Sequence, residues 1–207
     1  GGRIFIQLAH GGLQADSQLT GKQPAGPSIS RDIRNSAGSR MTVEDIGQVV
    51  EAFAAAALRA KSAGFDGVQI HAAHGYLIHQ FLSPHTNHRD DEYGGSLENR
   101  MRLPLEVVRR VRTVWPDELP VLVRLSVTDW VDGGWDLPQS LVLCRQLKAL
   151  GVDGPTVDAF TSLTAGATLR ARGNALIDAS TARATAAEDA LAVEPDGNQA
   201  RDDVAND

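Results

Sequence analysis

The feature that most constrains this chain is an alternation. Residues 3–8, 67–71 and 121–126 are short apolar segments that read as buried strands, and each is followed by helix-forming sequence. Strands separated by such long helical crossovers come to lie side by side in parallel, so the expected class is α/β. The first crossover helix is expected over 42–63. Its apolar residues Val43, Ile46, Val49, Val50, Phe53, Ala57 and Leu58 recur at three- and four-residue spacing, Thr42 with Asp45 makes a capping-box start, and Gly64 is a natural stop. A second helix is expected from near Ser96 to near Trp115, ahead of Pro116, and a third from an Asp136 cap to Leu150. The stretches between the first two strands and their helices read as long loops.

Side chains alternate faces along a strand, which assigns each polar interruption to a side. Gln7 falls opposite Ile4 and Ile6, Gln69 and His71 fall opposite Val68 and Ile70, and Arg124 falls opposite Val121 and Val123. Each strand thus carries a polar group near its C-terminal end, on the face away from the β-branched residues. In a barrel of alternating strands and helices those ends converge where such barrels carry their active sites. The plainer alternative is that each polar end marks only where a strand emerges into solvent. The densest stretch runs from His71 to Leu77, with two imidazoles and a phenol in His71, His74 and Tyr76. Such a set can hydrogen-bond one substrate oxygen and deliver a proton beside it. His-x-x-His also resembles half of a metal-ligand set, but no third histidine at suitable spacing and no cysteine pair accompanies it, so no metal is expected. His79, His85 and His88 read as loop residues.

Composition sets the partners and a boundary. Of the net charge of −6, residues 1–153 carry 16 basic against 17 acidic side chains, and residues 154–207 carry 4 against 9. No basic stripe suggests nucleic acid, and no apolar run approaches the roughly 18 residues that a membrane helix needs. The expected partner is a small molecule. The single Cys144 fits a reducing compartment, and the cytoplasm is the expected location. Residues 154–207 hold 14 alanines, no lysine and one aromatic residue, Phe160. This second region is expected to be largely disordered, with a strand over 157–161 and an alanine-rich helix over 175–193 as its candidate elements.

The motifs themselves resemble a known family. Ile6-Gln7-Leu8-Ala9-His10-Gly11-Gly12, the run from Gly64 to Leu77, Ser83-Pro84, Asn87, Arg89, Asp91, Tyr93-Gly94-Gly95-Ser96 and Glu98-Asn99-Arg100 resemble the old yellow enzymes, flavin-dependent ene-reductases also described as NADH:flavin oxidoreductases, and within them a bacterial subgroup with a His/His pair. Val123-Arg124-Leu125-Ser126 and Gly133-Gly134-Trp135-Asp136 fit as well. The likeness covers about residues 1–153. It implies a TIM-type (β/α)8 barrel, of which this chain would supply about strands 3 to 5 or 6, with FMN at the C-terminal face and NADH or NADPH as reductant. It implies that Gln7 meets the pyrimidine edge of the flavin, that Arg124 sits near its N1/C2 oxygen, that His71 and His74 hold the oxygen of an activated alkene, and that Tyr76 is the proton donor. The Tyr93–Ser96 turn with Arg100 is expected to be structural. Leu13 stands where the family usually has Arg. The alternative to an ene-reductase is a non-catalytic, truncated fragment that keeps these motifs without retaining FMN.

Overall fold

The computed structural model describes residues 1–29 and 38–158. In chain order these form β1 (Phe5–Leu8), a 3₁₀ turn (Gly12–Gln14), α1 (Ser17–Thr20), β2 (Ala25–Gly26), β3 (Ser39–Arg40), α2 (Val43–Ser62), β4 (Gly67–Ala72), α3 (Leu77–Leu82), α4 (Leu97–Arg112), β5 (Val121–Ser126), α5 (Leu137–Ala149) and β6 (Gly154–Asp158). Four strands make one parallel sheet in the order β1-β4-β5-β6, and β2 pairs with β3 in a separate parallel ribbon.

The helices start where the sequence places their caps. Thr42 and Asp45 bond reciprocally ahead of α2, the Ser96 side chain accepts from Asn99 N–H ahead of α4, and Asp136 accepts from Gln139 N–H ahead of α5. One face of the sheet is the buried one. Val68, Ile70, Ala72, Val121, Val123 and Leu125 pack with Ile46, Phe53, Val107, Val111, Leu143 and Leu147 from the helices into a single core. Within that helical layer α2 lies against α4, and α4 against α5.

Three expectations change. The strand expected over 157–161 begins earlier, as β6 at Gly154, in register with Leu122 of β5. Pro155 is accommodated there because a proline removes only its own donor and is tolerated in a strand where that N–H is not part of a ladder. The loop read after the second strand contains α3, and His79 lies in that helix, fully buried, rather than in a loop. The loop read after the first strand contains the 3₁₀ turn, α1 and the β2/β3 ribbon. The Tyr93–Ser96 turn is braced as expected: Asn87 Nδ2 donates to Tyr93 O at 2.7 Å, Asn99 Nδ2 to Gly94 O at 3.0 Å and Arg100 Nε to Gly95 O at 3.3 Å. The alanine-rich helix and the disorder expected over most of 154–207 lie outside the described residues. Among the described residues no helix is long and apolar enough to cross a membrane.

Candidate active site

Register decides which side chains share the second face of the sheet. Gln7 lies opposite Gln69, His71 opposite Arg124, and Arg124 opposite Thr156. In-register residues of parallel neighbours project to one side, so Gln7, Gln69, His71, Arg124 and Thr156 share the face turned away from the helices. Gln7 Nε2 donates to Gln69 Oε1, and Gln69 Nε2 donates to Thr156 Oγ1 at 2.9 Å, a polar row that spans the sheet.

At the C-terminal end of β4 the chain turns abruptly. Tyr76 N–H donates to Ala73 O at 3.1 Å, closing a four-residue turn whose central residues, His74 and Gly75, have φ of 61° and 72°. Two consecutive left-handed residues are unusual where one is not glycine, and the surroundings hold them there. Ser126 Oγ accepts from His74 N–H at 3.0 Å, and His79 Nδ1 accepts from Gly75 N–H at 2.9 Å. Gln14 Nε2 donates to His74 O at 3.1 Å and to Gly75 O at 2.8 Å, and Gln80 Nε2 donates to Gly75 O at 2.6 Å. The amides and carbonyls of His74 and Gly75 are therefore all met by side chains.

The turn folds His74 and Tyr76 back onto His71. Both ring centroids lie 5.0 Å from that of His71, with the His74 ring at 71° and the Tyr76 ring at 59° to it. His71 is 2% exposed, whereas His74 and Tyr76 are half-buried. The five residues singled out from the sequence divide accordingly: His71, His74 and Tyr76 form one cluster, Arg124 stands on the strand beside it, and Gln7 lies one strand over on the other side of β4. Nearby, His10 Nδ1 accepts from Gly12 N–H at 3.0 Å, and burial holds the His10 imidazole below its usual pKa.

Gln69 and Ser126 lie where alternation along β4 and β5 puts them, on the faces of His71 and Arg124, though neither was singled out as a site residue. Gln14 and Gln80 carried no local signal. Leu13 is buried, its backbone N–H donates to Gln80 Oε1 at 3.1 Å, and its side chain packs over Gly26, where a Cβ would collide with it. Among the described residues no group of three or more His, Cys, Asp or Glu side chains could hold a metal ion.

A parallel sheet with its strands in chain order and a polar cluster at their C-terminal ends is an arrangement that (β/α)-barrel enzymes use. The chain belongs to the NADH:flavin oxidoreductase / NADH oxidase family, whose model matches residues 1–193. Among curated relatives it is similar to NADPH dehydrogenase of Bacillus subtilis (strain 168), with 46% identity over 153 residues, which is 74% of this chain and 44% of that protein. It is also similar to NADH oxidase of Thermoanaerobacter brockii, with 41% identity over 154 residues, 73% of this chain and 24% of that protein. Among solved structures it is similar to the old yellow enzyme homologue from Zymomonas mobilis, with TM-score 0.68 and 36% identity over 75% of this chain and 47% of that one. Morphinone reductase in complex with tetrahydroNAD gives TM-score 0.67 and 35% identity over 76% and 49%. The resemblance read from the motifs holds, and these neighbours are TIM-barrel proteins. The chain spans less than half the length of the curated relatives named here, 44% and 24%.

Proposed function

We propose that this chain carries the substrate pair and ring site of an FMN-dependent NAD(P)H oxidoreductase that reduces activated alkenes such as α,β-unsaturated carbonyl compounds. The observation that supports this most is the packing of His74 and Tyr76 against His71 beside Arg124 on one sheet face.

The residues present fit a flavin ring. Gln7 and Gln69 offer amide donors and acceptors side by side, suited to the alternating N–H and C=O groups of a pyrimidine edge, and Thr156 adds a hydroxyl. Arg124 is the cation on this run of strand positions, and its fixed charge suits a ring that gains negative charge on reduction. When bound, FMN would supply two-electron transfer from NADH or NADPH to the alkene.

The chain's own residues do the rest. His71 and His74 hydrogen-bond the carbonyl oxygen of the substrate, drawing electron density from the β-carbon so that it accepts a hydride. The enolate oxygen that develops is stabilised by the same two groups. Tyr76 gives its phenolic proton to the α-carbon, and solvent restores it. The balance is one hydride at the β-carbon and one proton at the α-carbon, with the nicotinamide oxidised. Burial of His71 beneath its neighbours keeps water from competing for the carbonyl.

The test is enone reduction by FMN-loaded protein carrying His74→Ala or Tyr76→Phe. Each is expected to slow the enone half-reaction by about 10²-fold while reduction by NADPH stays near the unmodified rate. Unmodified enone rates in both variants would overturn the reading.

A further inference from the structure

A second buried polar group lies directly behind the turn and is not used by the reaction as drawn. His79 and Asp129 come from different segments, α3 and the loop after β5, and both are buried. Their facing atoms, His79 Nε2 and Asp129 Oδ1, are 3.0 Å apart, an imidazole–carboxylate contact, and neither atom has a hydrogen-bond partner among the described residues. On its other side the imidazole accepts from Gly75 N–H. A ring that accepts at Nδ1 presents Nε2–H to the carboxylate that it faces. Asp129 Oδ2 accepts from Ser83 Oγ at 2.6 Å and from Trp135 N–H at 2.8 Å. A carboxylate is an acceptor only; here two donors meet Oδ2, and the His79 ring edge faces Oδ1. Burial alone would raise its pKa; His79, Ser83 and the Trp135 amide outweigh that and hold it below the usual carboxylate value.

We infer that Asp129 and His79 are positioning residues that hold the left-handed His74–Gly75 turn, and through it set His74 and Tyr76 against His71. The inference rests on the ene-reduction reading for its catalytic consequence. Its structural part stands on the Gly75–His79 hydrogen bond and the His79–Asp129 contact. Gly75 N–H has one acceptor, His79 Nδ1, and that acceptor is oriented by one anion. The neighbouring supports, Gln14, Gln80 and Ser126, are neutral and reach the turn from other directions. Asp129 couples the loop after β5 to the geometry of the β4 turn, across a sequence separation of 50 residues from His79 to Asp129.

The experiment uses Asp129→Asn in the full chain, with Ser83→Ala as a control that deletes one donor and leaves the carboxylate–imidazole contact. An amide has a single acceptor oxygen, so it cannot meet His79 and Trp135 together without facing a donor with a donor. Hydrogen exchange of the Gly75 amide is expected to rise about tenfold in Asp129→Asn, while the amides of Val49, Phe53 and Ala57 in α2 keep their protection. The KM for an enone such as 2-cyclohexenone is expected to rise by a similar factor at unchanged FMN content, and Ser83→Ala is expected to move neither quantity by more than about threefold. Unchanged Gly75 exchange overturns the inference, and so does exchange that rises equally in α2. A loosened Gly75 with an unmodified KM overturns it too. If Asp129→Asn does not fold, Asp129→Glu, which keeps the charge and displaces the carboxylate by one methylene, is read by the same two quantities against the same outcomes. A failure of the functional reading is separate: the unsubstituted protein would then reduce no enone, while Gly75 exchange would still decide whether the dyad holds the turn.

Discussion

Adjacent glycines show how differently single residues are constrained. A Cβ on Gly94 would run into the backbone carbonyl and Cβ of Arg89, which cannot swing aside, since Arg89 is buried and bonded to Pro27 O, Met41 O and Asp91. Gly95 meets nothing within 4 Å, but its φ of +75° is left-handed. Gly94→Ala should therefore destabilise the fold by about 1–3 kcal/mol through overpacking, whereas Gly95→Asn, a side chain that tolerates the left-handed region, should cost less than about 1 kcal/mol. Denaturant titration of the two variants checks the order, and a smaller loss for Gly94→Ala would contradict it. The same contrast explains what was readable at the site. Gln7, His71 and Arg124 follow from alternation along a strand, a local property. Gln14 and Gln80 do not, because their roles depend on carbonyls of the 74–75 turn: Gln14 reaches them from 60 residues away, and Gln80 bonds across a turn whose shape its own sequence does not announce.

Elements long enough to show a period were legible. Helix α2 runs 20 residues behind its capping box, and its ends agree with the expected 42–63 to within a residue. The box satisfies two orphan amides at once: Thr42 Oγ1 accepts from Asp45 N–H at 3.1 Å, and Asp45 Oδ2 accepts from Thr42 N–H at 2.8 Å. Those bonds also hold the Asp45 carboxyl below its usual pKa, chiefly through the Thr42 backbone N–H. Thr42→Ala is expected to cost about 1 kcal/mol, seen as a lower denaturation midpoint with an unchanged slope. No change in the midpoint would show that the box contributes nothing. Short elements were not legible. Six residues of α3 and two each of β2 and β3 span too little chain to display a period, and tertiary contacts define them instead. Helix α3, whose six residues are all buried, lies against α4 and β4 and carries His79 to the back of the turn.

Over the whole molecule, one sheet sorts the sequence into two surfaces. The apolar face binds the helices, and the opposite face gathers Gln7, Gln69, His71, Arg124 and Thr156, with the His74–Gly75 turn closing over one end. The shift in composition after Asp153 does not end the sheet, since β6 pairs with β5 through Asp158; the family match continues to residue 193. Composition reports which side chains a segment has, and backbone pairing in a parallel strand depends on it only weakly. On the proposed function, the polar face of this sheet receives a flavin ring. The most direct measurement is titration of FMN with the purified 207-residue chain, followed by quenching of flavin fluorescence, for the unsubstituted protein and for Arg124→Met and Gln7→Leu. Saturable one-to-one binding is expected, weakened about tenfold by each substitution, the loss of one hydrogen bond to a charged or polar ring edge. Absence of saturable binding, or affinity indifferent to both substitutions, would contradict it.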